Sequence, residues 1–405
     1  MLKAKTSDLA LFGGKPAFAE PFHVGRPNTG RRERFLQRVN DIWDRRWFTN
    51  QGPYVREFEE KLGDLLGVRH CIPVCNGTIA MELAIRALGL RGEVIVPSFT
   101  FIATAHALQW QEITPVFCDI ARATHNLDPA RIEQMITPRT SGIIGVHIWG
   151  RPCEVEPLTR IARRHNLKLL FDAAHAFGCT CGGRAIGNFG DAEVFSFHAT
   201  KFFNTFEGGA IATNNDELAA RIRLMKNFGF QGYDNVIYLG TNGKMTEISA
   251  AMGLTGLENL EEVVAVNRQN YYTYQRVLGD VRGLSLVSYD ERERHNFQYI
   301  VFEVDAEAAG LSRDQLVAML NAENVLARRY FFPGCHRMVP YRSCFPHAGL
   351  LLPETERLTA RVLSLPNGTS VNAADIETFG GLIRFAIDHS AEIRRELLAR
   401  QPPKP

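Results

Sequence analysis

An acid and an amine stand at the ends of two predicted strands of this chain. A mainly apolar strand, 168–171, leads into Asp172, and a second strand, 192–197, runs into a polar turn that contains Lys201. In an open α/β sheet, ligands bind at the carboxyl ends of the strands. Pyridoxal 5'-phosphate (PLP) needs an amine for a Schiff base and an acid to pair with its pyridinium nitrogen. The alternative, a surface lysine and a helix-capping aspartate, is disfavoured by the glycine-rich segment 207–212 that follows.

Two further turns carry groups that could hold a phosphate. Gly77 and Thr78 lie between a predicted strand and a predicted helix, where glycine lets the backbone approach an anion and the first N–H groups of the helix point at it. Ser196 precedes the lysine turn, and its hydroxyl could donate to the same phosphate or satisfy the strand end. Asn242 opens another polar, glycine-containing helix entrance, which could serve an anion from outside the main sheet. A threonine cap after a glycine is common by itself, so this reading depends on the acid and the amine.

Two ring-bearing residues lie close to these turns in the sequence. Phe101 comes just after a strand end, where an aromatic ring can stack on a flat cofactor. The alternative is a core phenylalanine, since the chain has 26 of them. His175 follows the acid by three residues and could touch the cofactor hydroxyl or the acid, although a lone histidine is more often structural.

Composition excludes several classes of function. A length of 405 residues suits two domains, and a net charge of +2 gives no electrostatic case for nucleic acid or a membrane surface. No apolar run approaches the length of a membrane span or a signal peptide. The eight cysteines form no CxxC pair, which predicts reduced packing thiols in a cytoplasmic protein. Cys179 and Cys181 lack a second pair of ligands, so no metal site is predicted.

Strand and helix patterns alternate from residue 71 to about 245, with strands such as 93–97 and 114–118 and a helix from about 100 to 109. This alternation predicts a mostly parallel, doubly wound α/β sheet. Beyond it, a long helical periodicity over 246–278 precedes grouped strands and helices, which indicates a smaller α+β domain. One of these helices, 313–323, has Ser312 as its predicted cap. We therefore predict a large cofactor-binding domain with an N-terminal arm over 1–260 and a small C-terminal domain over 261–405. The first dozen residues and the tail 401–405 have the composition of disordered ends.

Several motifs together carry a family resemblance. The chain resembles the nucleotide-sugar aminotransferases of DegT/StrS type, within the fold-type I PLP enzymes, from about Val24 to its C-terminal helical region. The motifs occur in the family's order, at 46–59, 75–78, 96–101, 172–176, 196–201, 207–210, 242–247 and 336–341. One such motif would be weak evidence, whereas the ordered series is specific. The resemblance implies a large domain with a mixed, mostly parallel sheet and a smaller α+β domain.

The resemblance also implies a role for each candidate residue. Lys201 would carry the Schiff base, and Asp172 would hold the pyridine nitrogen. The other cofactor contacts would be Gly77, Thr78 and Ser196 at the phosphate, Phe101 on the ring face and His175 near the ring oxygen. Asn242 would reach the phosphate of a neighbouring subunit, which implies a homodimer with shared active sites. Family members often have glutamine where this chain has His175, and arginine where it has Lys244.

The implied reaction is the transfer of an amino group from L-glutamate to a keto group of a nucleotide-linked 6-deoxyhexose. Segments 197–207 and 327–336 are similar to members that act at C4 of a thymidine-diphosphate sugar. Arg329, Tyr330 and His336 are then candidates for contacting the sugar or its diphosphate, or else they are packing and surface groups. Alternatives are amination at C3 or of a cyclitol, another PLP reaction such as dehydration, and a regulator that binds PLP or a sugar nucleotide without turnover. A lysine at 201 argues against the family's dehydratase branch, which has histidine there.

Overall fold

Helices and strands alternate along the chain in the computed structural model, which describes residues 3–400. The helices are α1 (Arg32–Arg45), α2 (Pro53–Leu66), α3 (Gly77–Ala87), α4 (Ala103–Gln109), α5 (Pro129–Ile132), α6 (Val155–Arg164), α7 (Asp216–Met225), α8 (Glu247–Leu257), α9 (Leu260–Leu278), α10 (Ala306–Ala309), α11 (Arg313–Ala322), α12 (Val339–Cys344), α13 (Pro353–Thr359), α14 (Ala373–Asp388) and α15 (Ser390–Ala399). The strands are β1 (Phe22–His23), β2 (His70–Val74), β3 (Glu93–Pro97), β4 (Thr114–Cys118), β5 (Thr140–Val146), β6 (Lys168–Asp172), β7 (Thr180–Cys181), β8 (Arg184–Ala185), β9 (Ala192–Ser196), β10 (Gly209–Thr213), β11 (Leu284–Leu286), β12 (Ile300–Val304), β13 (Val325–Leu326) and β14 (Val362–Leu365). Short 3-10 turns lie at Thr6–Asp8, Ala10–Phe12, Glu133–Met135, Ile148–Gly150, Cys335–Arg337 and Ala348–Leu351.

A seven-stranded sheet forms the centre of the larger part, in the order β2-β10-β9-β6-β5-β3-β4. The strands β9, β6, β5, β3 and β4 pair in parallel, while β10 runs antiparallel to both of its neighbours. Apolar runs such as 143–144 and 169–171 are buried, as expected for strands covered by helices on both faces. The predicted α/β fold class with a mixed, mostly parallel sheet is confirmed.

The predicted elements differ from the observed ones mainly at their ends. β3 and β4 match the predicted strands 93–97 and 114–118. The helix predicted over 100–109 begins only at Ala103. The long periodicity over 246–278 is divided into α8 and α9, because Asn259 leaves the helical region with φ −117° and ψ 12°. A helix that the sequence analysis did not predict, α15, follows α14.

A three-stranded antiparallel sheet, β11-β12-β14, forms the centre of the smaller part. It packs with α9, α11 and α14 around a core that includes Tyr274, Phe302 and Phe379. Ser312 caps α11 as predicted, since its hydroxyl accepts the backbone N–H of Gln315 at 3.2 Å. This arrangement is the expected α+β unit.

The N-terminal segment packs on this C-terminal core. Leu9 and Phe12 are buried in it, and β1 pairs in parallel with β13. The fully buried carboxylate of Glu323 accepts the backbone N–H groups of Ala10 and Ala17, both at 2.7 Å. The prediction of a disordered start is therefore wrong for the first dozen residues from residue 3 on, because a distant acid satisfies their backbone. The predicted tail 401–405 lies outside the described residues, and the domain limits at 260 and 261 stay a prediction.

All eight cysteines lie in the described part of the chain and are unpaired. Burial raises the thiol pKa of Cys118, Cys179 and Cys335 to about 12, so these side chains are protonated packing groups at neutral pH. Between residues 3 and 400 there is no group of three or more histidine, cysteine or acidic side chains that could hold a metal ion. In the same range, no helix has the length and apolar character that crossing a bilayer requires.

Candidate active site

Lys201 lies in the turn that follows β9. Its backbone N–H donates to the carbonyl of His198 at 2.8 Å, which fixes the turn. Burial lowers the pKa of its amine from 10.5 to about 8, although the nearby Asp172 carboxylate acts to raise it. The amine is therefore neutral, and nucleophilic, at a much lower pH than an ordinary lysine.

Asp172 is the last residue of β6, the strand next to β9 in the sheet. One carboxylate oxygen, Oδ1, accepts the backbone N–H of Ala174 at 3.0 Å. The other, Oδ2, accepts the hydroxyl of Thr104 at 2.8 Å, and Thr104 also contacts the hydroxyl of Thr100 at 3.0 Å. These two donors fix the orientation of the carboxylate. The sequence analysis missed Thr104, although two threonines four residues apart at a helix start were a visible signal.

The start of α3 faces the end of β9. Asn76 caps α3, since its side-chain oxygen accepts the N–H of Ile79 at 2.8 Å. A methyl group on Gly77 would lie 2.9 Å from the Ser196 Cβ and 3.2 Å from its hydroxyl oxygen, so only glycine fits this approach. Thr78 is exposed in the first turn. Free helix N–H groups, the Ser196 hydroxyl and the Thr78 hydroxyl thus form a cradle for an anion.

His175 is buried beside the lysine turn. Its Nδ1 accepts the backbone N–H of Trp149 at 3.3 Å, and its ring lies 4.3 Å from that of Tyr299. Burial, together with the charge of Lys201, holds the imidazole pKa well below its usual value of 6.5. The ring is therefore neutral, and because Nδ1 is an acceptor, its proton is assigned to Nε2. Trp149, which orients this ring, was not predicted from the sequence.

Phe101 and Asn242 are both exposed near this edge of the sheet. The Phe101 ring is 58% exposed just beyond β3, so the alternative of a core phenylalanine is wrong. The segment around Asn242 lies against the end of β2, where Cys75 N–H donates to the carbonyl of Gly243 at 2.9 Å. The neighbouring amine of Lys244 donates to the side chain of Asn227 at 3.1 Å. The contact of Asn242 with a partner's phosphate stays a prediction.

The three predicted substrate residues lie in different surroundings. Arg329 is exposed and pairs with Asp314 at 3.1 Å. Tyr330 lines a cleft beside Thr200.

His336 does not fit the predicted contact with substrate. Its side chain is buried, and both ring nitrogens are used, with Nδ1 at 2.7 Å from the Ser98 hydroxyl and Nε2 at 2.6 Å from Glu356. The structure thus gives His336 a packing role between segments, which is the alternative that the sequence analysis left open.

The residues at this edge fit PLP. The α3 cradle suits a phosphate, the oriented Asp172 carboxylate suits a pyridinium nitrogen, and the desolvated Lys201 amine suits an aldehyde. The exposed Phe101 ring and the neutral His175 ring supply an aromatic face and an N–H donor. Each of these features lies at the carboxyl end of the parallel strands or at the helix start beside it.

The fold and this strand-end site define an aminotransferase of fold type I. The chain belongs to the DegT/DnrJ/EryC1/StrS aminotransferase family, whose match spans residues 30–384. This confirms the family resemblance drawn from the motifs, and it identifies the protein as an enzyme of the transaminase class.

Three similar proteins support the assignment. The chain is 38% identical over 367 residues to a dTDP-4-amino-4,6-dideoxy-D-glucose transaminase of Shigella dysenteriae, covering 90% of this chain and 99% of that protein. It is 36% identical over 355 residues to the GDP-perosamine synthase of Caulobacter vibrioides, covering 86% and 91%. The crystal structure of DesI in the presence of its TDP-sugar product superposes with a TM-score of 0.92 and 49% identity, covering 98% and 99% of the two chains.

Proposed function

We propose that this enzyme uses PLP to move an amino group from L-glutamate to the C4 keto group of a nucleotide-linked 6-deoxyhexose, in deoxyaminosugar biosynthesis. The observation that carries the proposal is the desolvated amine of Lys201 beside the oriented carboxylate of Asp172. The C4 position and the thymidine nucleotide are supported by the names of the Shigella dysenteriae relative and of DesI with its TDP-sugar product.

In this proposal the site residues would take the roles that the resemblance implied. Gly77, Thr78 and Ser196 would hold the cofactor phosphate, and Asp172 would pair with the ring nitrogen. Phe101 would cover one face of the ring. His175 would donate its Nε2 proton to the ring oxygen, because its Nδ1 already accepts the Trp149 N–H. Glutamine offers the same combination of one acceptor and one donor, which explains how it can replace histidine at this position.

Bound PLP supplies an electron sink for the carbon atom that loses its proton. The protein supplies the base, its position and its environment. Lys201 Nζ, once free of its covalent link, would take the proton from the α-carbon of the amino donor. Its lowered pKa suits this role, since half of the amine is neutral near pH 8. Thr104 and the backbone N–H of Ala174 donate to Asp172, and these bonds would hold its carboxylate towards the heterocycle.

We infer a homodimer with shared active sites from the exposed segment 228–239. Phe228, Tyr233, Val236, Ile237, Tyr238 and Leu239 are 37% to 97% exposed, which is unusual for so many neighbouring apolar side chains. Asn242 follows this segment directly, so a second copy docked here would come close to it. Leu239→Asp should shift the protein towards monomer in sedimentation velocity, while the matched control Leu398→Asp on α15 should leave it unchanged. A Leu239→Asp protein that sediments like the wild type would contradict the inferred interface.

We also place the enzyme in the cytoplasm, because its eight unpaired cysteines suit a reducing compartment. A GDP-linked sugar is a second candidate acceptor, favoured by the similarity to a GDP-perosamine synthase.

The proposed transamination is tested in two steps. L-Glutamate alone should bleach the visible band of the holoenzyme and release 2-oxoglutarate, and a panel of dTDP-, UDP- and GDP-linked keto-sugars should then restore the band. An enzyme that gives no half-reaction with glutamate would contradict the proposed donor and favour a binding protein.

A further inference from the structure

A cleft opens beside the lysine turn. Thr200 and Phe202, the chain neighbours of Lys201, form one wall, and Arg26 from the N-terminal segment stands on another. Tyr299 also lines the cleft, and its ring lies 4.3 Å from that of His175. The cleft therefore adjoins the proposed active site.

The lining of this cleft carries charge of one sign, which is positive. Among the described residues that line it, Arg26 is the only one with a charged side chain, and the rest are amides, hydroxyls and apolar groups. Within residues 3–400, the Arg26 guanidinium is exposed and has no ion pair or side-chain hydrogen bond. A free guanidinium in an otherwise neutral polar cleft attracts an anion, since its planar fork pairs with two oxygens at once.

The segment that carries Arg26 is held firmly against the lysine turn. Gly25 has a φ of +78°, and a methyl group there would lie 2.9 Å from the carbonyl oxygen of Thr200, so glycine is required. Asn28 donates to the carbonyl of Phe202 at 3.0 Å and accepts the backbone N–H of Thr369 at 2.9 Å. The backbone on both sides of Arg26 is thus held in place.

We propose that this cleft binds a carboxylate or phosphate group of a substrate, with Arg26 as the ion-pair partner. The inference rests on the proposed function, in which each substrate carries such a group. L-Glutamate has a carboxylate one bond from its reacting carbon, and a nucleotide sugar has a diphosphate beyond its hexose. Because both substrates react at Lys201, a cation fixed beside the lysine turn can orient either of them without touching the reacting atoms.

The test measures binding to the holoenzyme by isothermal titration calorimetry with two unreactive probes. Glutarate carries the two carboxylates of the donor without its amine, and thymidine 5'-diphosphate carries the diphosphate without the sugar. Arg26→Gln should weaken at least one of them about ten-fold or more, since a hydrogen bond to a charged group is lost. Arg26→Lys should recover part of the affinity, because it restores the charge without the planar fork. Arg91→Gln, an exposed arginine at the opposite edge of the sheet, is the matched control and should bind both probes like the wild type.

Each outcome decides the proposal. A loss of affinity for glutarate alone assigns the cleft to the donor carboxylate. A loss of affinity for thymidine 5'-diphosphate alone assigns it to the nucleotide sugar. A loss of both, with the visible spectrum and melting temperature unchanged, means that the cation serves both substrates. Unchanged affinities, no binding of either probe to the wild type, or a loss accompanied by a changed spectrum or melting temperature would overturn the proposal. The glutamate half-reaction is measured separately, so a failure here is distinguishable from a failure of the proposed function.

Discussion

Two buried lysines of this enzyme, Lys201 and Lys226, have the same lowered pKa but lie in different surroundings. Burial lowers the pKa of both Lys201 and Lys226 from 10.5 to about 8, and in each case a nearby acid acts against the shift. Lys226 follows α7, is 4% exposed, and donates from its amine to the carbonyl of Pro73 in β2 at 3.1 Å. Lys201 stands instead at the carboxyl end of the sheet, beside Asp172 and next to a cleft.

A lowered lysine pKa is therefore no sign of catalysis by itself, because burial alone produces it. Lys201 differs from Lys226 in the groups around it, which are an oriented carboxylate, a helix start that can hold a phosphate, and an exposed aromatic ring. Lys226 has a backbone carbonyl as its partner, which makes it a packing group. Variants at the two lysines and at their neighbouring acids test this distinction.

Removing each amine should give the largest difference. Lys201→Ala should abolish the visible band of the cofactor-linked enzyme and lower kcat by about 10⁴-fold or more, because the covalent partner and the base are the same atom. Lys226→Met keeps the length of the side chain and should retain both the band and kcat within about two-fold, since it touches no reacting group. Absorption spectra and steady-state kinetics of the two variants decide the matter. Loss of the band in Lys226→Met with Lys201 intact would reverse our assignment.

Removing the acid should have the next largest effect. Asp172→Asn keeps the shape of the side chain but loses its charge, and should lower kcat by about 10² to 10³-fold. Glu59, the acid that acts on Lys226, provides the matched control, and Glu59→Gln should leave kcat nearly unchanged. Equal losses in the two variants would mean that general stability, and not the charge of Asp172, supports turnover.

The pH dependence of cofactor attachment reports on Lys201 alone. The neutral amine attacks the aldehyde, so the rate at which apoprotein and PLP form the visible band should rise with pH around a midpoint of about 8. The Asp172 carboxylate raises the lysine pKa, and its removal in Asp172→Asn should therefore move the midpoint to lower pH. Stopped-flow absorbance from pH 6 to 10 measures both. A midpoint near the ordinary lysine value of 10.5 would show that the amine is not desolvated.

The two lysines should, in contrast, contribute equally to the pH dependence of the free energy of unfolding. Between pH 8 and 10.5 the unfolded chain keeps a proton on each lysine that the folded apoprotein has lost, so the free energy of unfolding rises with pH. Each lysine contributes at most about 1.4 kcal/mol per pH unit to this rise. Lys201→Met and Lys226→Met should each reduce it by a similar amount in urea unfolding of the apoprotein at pH 8.5 and 10. A rise that both variants leave intact would contradict the lowered pKa values.

The strand ends were predictable because short-range patterns fix them. Apolar runs bounded by polar turns gave β3 and β4 their limits, and they placed Asp172 and Lys201 at one edge of the sheet. The break at Asn259 falls inside one continuous helical periodicity, so the periodicity does not reveal it. The order of the N-terminal turns depends on Glu323, more than 300 residues away in the sequence.

The site residues that belong to sequence motifs could be predicted, and the residues that orient them could not. The orientation of Asp172 by Thr104 crosses 68 residues of sequence, and only the packed sheet brings the two together. Trp149 orients His175 through its backbone N–H and has a positive φ of 62°. A tryptophan in the sequence does not predict this backbone conformation. For His336 the sequence left two readings, and only the burial of its ring decides between them.

The most direct test of the account is to find which lysine carries the cofactor. Borohydride reduction of the holoenzyme converts the lysine–cofactor link into a stable secondary amine, and proteolysis with mass spectrometry then locates the added group. We expect the whole of the label on the peptide that contains Lys201, and none on the peptide that contains Lys226. Label on Lys226 or on any other lysine, with Lys201 unmodified, would contradict the central claim.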